Sequence, residues 1–303
     1  MSVFDRSYRR YSGELKGRWA RIWAIATTTF RVQFSGKKII FLLILCNLPV
    51  ISFTLMITFM AIFSPAMVTS FILDIFGTVD VAMYTVINFT FNPGLIFLPI
   101  VFVCALNAGT IANDKKHNSL ALYMAKPIDR IDYIIGKALS IYMVSSFVTL
   151  IPWIVFLIAF TLLMGISGSQ FIDTLWVYLS TAASSLLVIL FLGSIVLMFS
   201  AMSNQSVLAG ILSILVLFLP SLITGVIASV PELSVDWLNY FSISALLTSS
   251  IHVIFGLPEF DASFFGEFFT SSIRGSLAII VILGIIIVTI LLTISQLYRE
   301  EIH

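Results

Sequence analysis

The 303-residue chain is 59% hydrophobic and only 10% charged, with a mean hydropathy of +1.09. Soluble domains hold roughly 45–50% apolar and about 25% charged residues, so this composition excludes them and points to an all-α integral membrane protein. The formal charge of +1 gives no reason to expect a nucleic-acid partner, because the basic residues are spread along the chain rather than gathered for phosphate.

Residues 1–38 are set apart as a cytoplasmic basic segment preceding a membrane domain over 39–303. The segment carries nine basic residues, from Arg6 to Lys38. Within it, Trp19, Ile22, Trp23, Ala26 and Phe30 fall on one side of a helix turning ~100° per residue. Aromatic groups beside Arg18, Arg21 and Arg31 suit an amphipathic helix lying in the headgroup layer. The basic region and the first apolar run are both too long for a cleavable signal.

Six apolar stretches are long enough to cross a hydrocarbon core of ~30 Å, which takes ~20 helical residues. They lie near 39–63, 93–112, 138–165, 174–200, 207–229 and 275–296, and none contains Asp, Glu, Lys, Arg or His. The connection 64–92 is predicted to skim the outer surface. Pro49, Pro152 and Pro220 fall within spans and mark local bends, tolerated where neighbouring helices satisfy the freed carbonyls. Asn47, Asn107, Thr149 and Ser200 are isolated polar points, expected to bond across helices. Small residues from Ser180 to Ser185 recur at four-residue spacing, which permits close helix approach. Cys46 and Cys104 lie inside spans without metal or redox spacing and read as packing residues. Residues 237–257 are apolar enough to be weighed as a seventh span, but Asn239, His252 and several hydroxyl residues favour two short helices that dip into the outer leaflet.

Charge placement fixes orientation. With both termini cytoplasmic and six crossings, fifteen of the sixteen basic residues are inside and only Arg274 is outside, leaving the two faces at about +8 and −7. An odd number of crossings spoils this pattern.

The absent chemistry is also informative. Ion-coupled carriers and voltage sensors use ionisable groups within the membrane, and these spans have none. The three histidines, His117, His252 and His303, cannot assemble an intramembrane metal site. The serines of the spans have no buried base beside them, and no phosphate-binding loop ending in Lys-Ser or Lys-Thr occurs. No catalytic residue and no metal ligand is assigned. If such a chain does work, the energy comes from another protein.

One passage is differently built: NDKKHNSLALYMAKPIDRIDYIIGK, residues 113–137. Ser119 is placed to cap a short helix, with Leu120, Tyr123 and Met124 on one apolar face. Pro127 ends it, and Lys126 before the proline is biased away from helical geometry. Asp129 resembles a second N-cap, with Asp132 in the place of a capping-box acid. An amphipathic helix is thus held between two firm supports, and its apolar face wants a partner.

These residues resemble the cytoplasmic signature of ABC-2 type permeases, the membrane subunits of ATP-binding-cassette exporters. The matches are Asp114, Leu120, Leu122, the run Lys126-Pro127-Ile128-Asp129-Arg130, Tyr133 and Gly136-Lys137. Asn118-Ser119 stands where the family has a Gly-Thr step, and Lys115-Lys116 replaces a further acid. The end, QLYREEI (296–302), is similar to the aromatic-Arg-Arg-Asp-Ile tail of these permeases. The resemblance implies a type V exporter-like fold in the plasma membrane, with segment 113–137 carrying a coupling helix. It implies that Asp114, Ser119, Leu120, Leu122, Tyr123, Met124, Lys126, Pro127, Asp129 and Arg130 meet a separate ATPase, which holds the ATP and Mg. It further implies two permease copies, identical or paralogous, with two ATPases, surrounded by membrane lipid. The competing readings are a non-transporting six-span scaffold, regulatory or immunity protein, and an intramembrane enzyme. The uncharged spans argue against the last.

Overall fold

The computed structural model describes residues 17–63, 93–119, 123, 128–163, 168–228, 236–256 and 274–299, and all regular structure among them is helical. The chain begins with α1 (Arg18–Gln33). A short break at Ser35 and Gly36 leads into α2 (Lys37–Phe63). Then come α3 (Pro93–Asn107), α4 (Gly109–Lys116), α5 (Arg130–Ser146) and α6 (Leu150–Leu163). The long α7 (Gly168–Met202) is followed by α8 (Ser206–Ala228). A 3-10 turn over Asp236–Phe241 precedes α9 (Ile243–Phe255), and α10 (Gly275–Arg299) closes the described chain.

Five helical stretches are long and apolar enough to cross a membrane: Lys37–Phe63, Arg130–Ala159, Leu175–Met202, Ser206–Ile227 and Gly275–Arg299. The stretch expected as the second span is divided at Ala108 into α3, of 15 residues, and α4, of 8. The stretch expected to begin at 138 begins at Arg130, and a turn at 147–149 interrupts it. Pro152 explains the interruption: it offers no N–H to the Val148 carbonyl, and its ring crowds that carbonyl. The backbone there tightens, with Phe147 N–H donating to the Val144 carbonyl (3.2 Å) and Val148 N–H to that of Ser145 (3.0 Å).

Residues 237–257 do not form one continuous helix. Ser242 breaks them, its hydroxyl accepting from the Ala245 amide (3.3 Å) to cap α9. Gly256, at φ +70°, closes the other end. At 13 residues, α9 is ~20 Å long, short of a full crossing. The second helix expected in this region, and the 64–92 connection, lie outside the described residues.

The core is organised around α7. Its Phe191, Leu192, Ile195 and Val196 are buried against Trp153, Phe156 and Leu157 of α6, Leu246 and Phe255 of α9, and Ala278, Ile282 and Ile286 of α10. The small residues near the start of α7 are also used within the chain. Ser180, Thr181, Ser184 and Ser185 are buried, and Ser180 donates to the Ile254 carbonyl on α9 (3.2 Å). Cys46 and Cys104 are both buried. A separate cluster of Ile111, Tyr133, Ile134, Ile141, Leu197, Ala201 and Leu297 gathers where α4, α5, α7 and α10 converge.

The outer faces are the inverse of a soluble protein's. Leu208, Ile211, Leu215, Leu219 and Leu222 of α8 are exposed, as are Ile280, Leu283, Ile287 and Leu291 of α10. Contiguous apolar surface of this extent suits contact with lipid rather than water. The molecule is a multi-pass membrane protein.

Candidate functional site

The residues singled out between 114 and 137 are far apart along the chain but meet at one end of the bundle. Asp114, on α4, receives the Tyr133 hydroxyl at 2.6 Å and the Lys137 ammonium at 2.8 Å, both on α5 and both through the same carboxylate oxygen. Lys137 is only 4% exposed and Asp114 18%. The ammonium also faces the rings of Tyr133 (5.5 Å) and Tyr123 (5.8 Å), and those rings pack together at 5.3 Å. Burial first, and then the Asp114 carboxylate, push the Tyr123 phenol above its ordinary pKa, so it stays neutral. Next to Asp114, Lys115 donates to the Ala201 carbonyl at the end of α7. One carboxylate and one ammonium therefore tie α4, α5 and the 123 segment into a single knot, and the next lysine fastens it to α7.

The segment's start and finish follow from backbone chemistry. α4 ends at His117, and Asn118 takes φ +53°. This left-handed region favours glycine, and asparagine is among the few other residues that enter it routinely. Asn118 stands at the position where the resembled permeases have the glycine of their Gly-Thr step. The Ser119 hydroxyl donates back to the Asp114 carbonyl (3.1 Å), closing the end of α4; the residues it is expected to cap lie outside the described residues. Asp129 does occupy the N-cap position of α5, with extended backbone but no side-chain cap bond. Arg130 begins α5 and lies over the Tyr298 ring of α10 at 4.5 Å, which ties the re-entry to the C-terminal helix.

Asp132 is not a capping-box acid. It is wholly buried and accepts from Arg18 Nε of α1 at 2.7 Å, with Arg21 at 3.8 Å. A guanidinium offers a charge-assisted bond, stronger than the neutral amide at a helix start. Around this pair α1 lies along α5. Ile22, Ile25 and Ala26 are buried, and Gly136 makes room: a Cβ there would stand 2.9 Å from Ile25 Cβ and 3.1 Å from the Ile22 carbonyl. The face foreseen from the sequence is rotated by part of a turn. Ile22 and Ala26 lie against the protein, whereas Trp19 and Trp23 remain 77% and 55% exposed, as befits indole rings at a membrane–water boundary. At its far end, Phe30 stacks on Phe147 at 5.8 Å and Phe34 meets the same ring at a tilt at 5.5 Å.

Of the anticipated partner-facing residues, Asp114, Ser119, Tyr123, Asp129 and Arg130 are placed, and Leu120, Leu122, Met124, Lys126 and Pro127 lie outside the described residues. Tyr123 is turned at least partly inward, toward Tyr133. Sequence reasoning missed Lys137, Asp132 and Arg18 as structural charges; the available signal was a lysine and an aspartate each set on an otherwise apolar helical face. Among the described residues no group of His, Cys, Asp or Glu is arranged to hold a metal.

The family model of ABC-2 family transporter proteins matches residues 23–302. The chain belongs to the ABC-2 transporter family. That match covers α1 from Trp23 onward, every later helix and the knot. Membership of this family indicates the membrane permease component of an ABC transporter and implies an ABC ATPase as partner. No curated protein matches the sequence.

Proposed function

We propose that this ABC-2 protein is the permease subunit of an ABC exporter, driven by two copies of a separate cytoplasmic ATPase that hold the ATP and Mg. In this reading two permease chains, identical or closely related, surround the path in the plasma membrane. Each crosses six times, with α3 and α4 together forming one crossing because Ala108 between them keeps helical geometry (φ −55°, ψ −32°). Both termini and segment 113–137 face the cytoplasm, which agrees with the basic residues.

The observation that carries the reading is the knot at Asp114, Tyr123, Tyr133 and Lys137. A cytoplasmic handle transmits force only if it cannot swivel. Here its start is tied to α5 and α7, its middle to Tyr133, and its return through Arg130 to α10. A push on residues 119–127 then reaches several membrane helices together, while the apolar side chains Leu120, Leu122 and Met124 give the ATPase a docking face. Pro127 and Asp129 end the handle firmly.

The test is reconstitution of the full chain with candidate soluble ABC ATPases. Leu120→Asp is expected to abolish co-purification of the cognate ATPase while insertion and folding are retained. Tyr123→Asp also breaks the ring contact with Tyr133, so its effect is read together with protein stability. Undiminished complex formation by Leu120→Asp, or an absence of any stimulated ATPase activity with every candidate, would favour the non-transporting scaffold instead.

A further inference from the structure

We propose that Ser200 is a positioning residue: its hydroxyl is wedged into the backbone ladder of the second membrane segment and makes residues 107–109 the pivot of the coupling handle. This rests on the permease reading and adds to it the place where the segment bends.

The interruption between α3 and α4 has no loop, since Ala108 stays in the right-handed helical region. In an unbroken helix the Ile111 and Ala112 amides go to the Asn107 and Ala108 carbonyls. Here Ser200 Oγ, from α7, accepts from Ile111 N–H at 2.9 Å and from Ala112 N–H at 3.1 Å. The same hydroxyl donates to the Ala108 carbonyl at 2.8 Å, while Thr110 Oγ1 donates to that of Asn107 at 2.6 Å. Ser200 is fully buried. From the other side Gln33 Nε2, at the end of α1, donates to Asn107 Oδ1 (3.1 Å) and Thr110 Oγ1 (3.0 Å). The backbone groups freed at the break thus have side-chain partners, so the break is built rather than frayed. A side chain inserted into the ladder is one of the few causes of a sharp helix bend.

What surrounds the break decides which part moves. α4 is fastened to the end of α7 by Ser200 and Lys115, and to α5 by Asp114. α3 has no such ionic tie. At the break itself Gly210 of α8 comes close enough that a Cβ there would lie 3.3 Å from Ala108 Cβ, leaving a bearing surface of small groups. The handle, α4 and the adjoining ends of α5 and α7 then turn as one body, and the change of angle falls at 107–109, below α3.

The experiment is hydrogen exchange across residues 105–116 of the full chain in lipid nanodiscs, followed by mass spectrometry. Ser200→Ala removes the wedge, the Ile111 and Ala112 amides return to their own helix, and exchange of this peptide slows by about tenfold. Ser200→Thr keeps the hydroxyl and exchanges like the parent. Gly109→Ala, which strengthens the helix at the pivot and meets only the mobile end of Asn113, slows exchange without touching Ser200 and decides the matter if Ser200→Ala does not fold. Unchanged or faster exchange in Ser200→Ala, or identical behaviour of the Thr and Ala variants, overturns the proposal, because a hydroxyl that merely caps the break leaves its amides less protected when removed. With the cognate ATPase bound, Ser200→Ala retains the complex and loses the response of this peptide to Mg-ATP. Failure of the parent chain to bind any ATPase sinks the permease reading and leaves the exchange comparison standing.

Discussion

Lys137 lies about two turns inside α5, and the residues that follow it carry no charge up to Asp173. A buried ammonium is tolerated only when its charge is met and its donors are used. Asp114 meets the charge, and Tyr133 shares the same carboxylate oxygen. The two aromatic faces cover the rest, replacing water by ring electrons. Removing one member leaves the other charge stranded in a dry place, whereas removing both leaves an apolar contact. Lys137→Met or Asp114→Asn alone is therefore expected to lower unfolding stability by about 3 kcal/mol. The double variant should lose clearly less than the sum of the two. Denaturant titration of the purified chain in micelles measures this cycle, and strict additivity would mean that the two groups do not act as a pair. The motif's Lys was visible in the sequence as a positive-inside marker; its partner was not, because Lys137 lies 23 positions after Asp114 and only the folding back of α4 on α5 brings them together.

At the scale of elements, the spans were legible because a bilayer demands long uncharged runs, and α2, α7, α8 and α10 lie close to where those runs predict them. What could not be read were the interruptions. The break at 147–149 follows from a proline whose consequence falls four residues upstream, and the break at 108 from a serine some ninety residues away in sequence. Likewise the amphipathic pattern of α1 was legible, but not the rotation that turns Ile22, Ile25 and Ala26 inward, since this depends on Gly136 and Asp132 of α5. That dependence yields a prediction. Gly136→Val places a Cβ within 2.9 Å of Ile25 Cβ, so α1 must lift from α5. Tryptic cleavage at Arg18, Arg21 and Arg31 is expected to accelerate about tenfold, since such openings set the rate of attack. Gly284→Val, where a new Cβ meets nothing within 4 Å, is the control and should leave the cleavage pattern unchanged. Equal rates in both would show that α1 does not rely on this contact.

For the molecule as a whole, two independent constraints act on topology. Contacts require that α4, the start of α5, the end of α7 and the end of α10 share one face, because Lys115 reaches the Ala201 carbonyl and Arg130 covers Tyr298. In the topology proposed above, charge placement makes this face the cytoplasmic one, since Arg18, Arg21, Lys115, Lys116, Arg130 and Lys137 belong to the elements gathered there. Five long helices alone leave the parity open; in the proposed topology α3 and α4 act as a sixth crossing, which would return both termini to the same side. Single cysteines introduced at Lys116, Met202, Trp237 and Arg274, in a chain whose buried Cys46 and Cys104 are replaced by alanine, test both constraints together. An impermeant maleimide applied to intact cells should label positions 237 and 274, and should reach 116 and 202 only after permeabilisation. Labelling of 116 and 202 on opposite faces would contradict the packing itself, whereas a complete inversion of the pattern would spare the packing and reject the cytoplasmic placement on which docking of an ATPase depends.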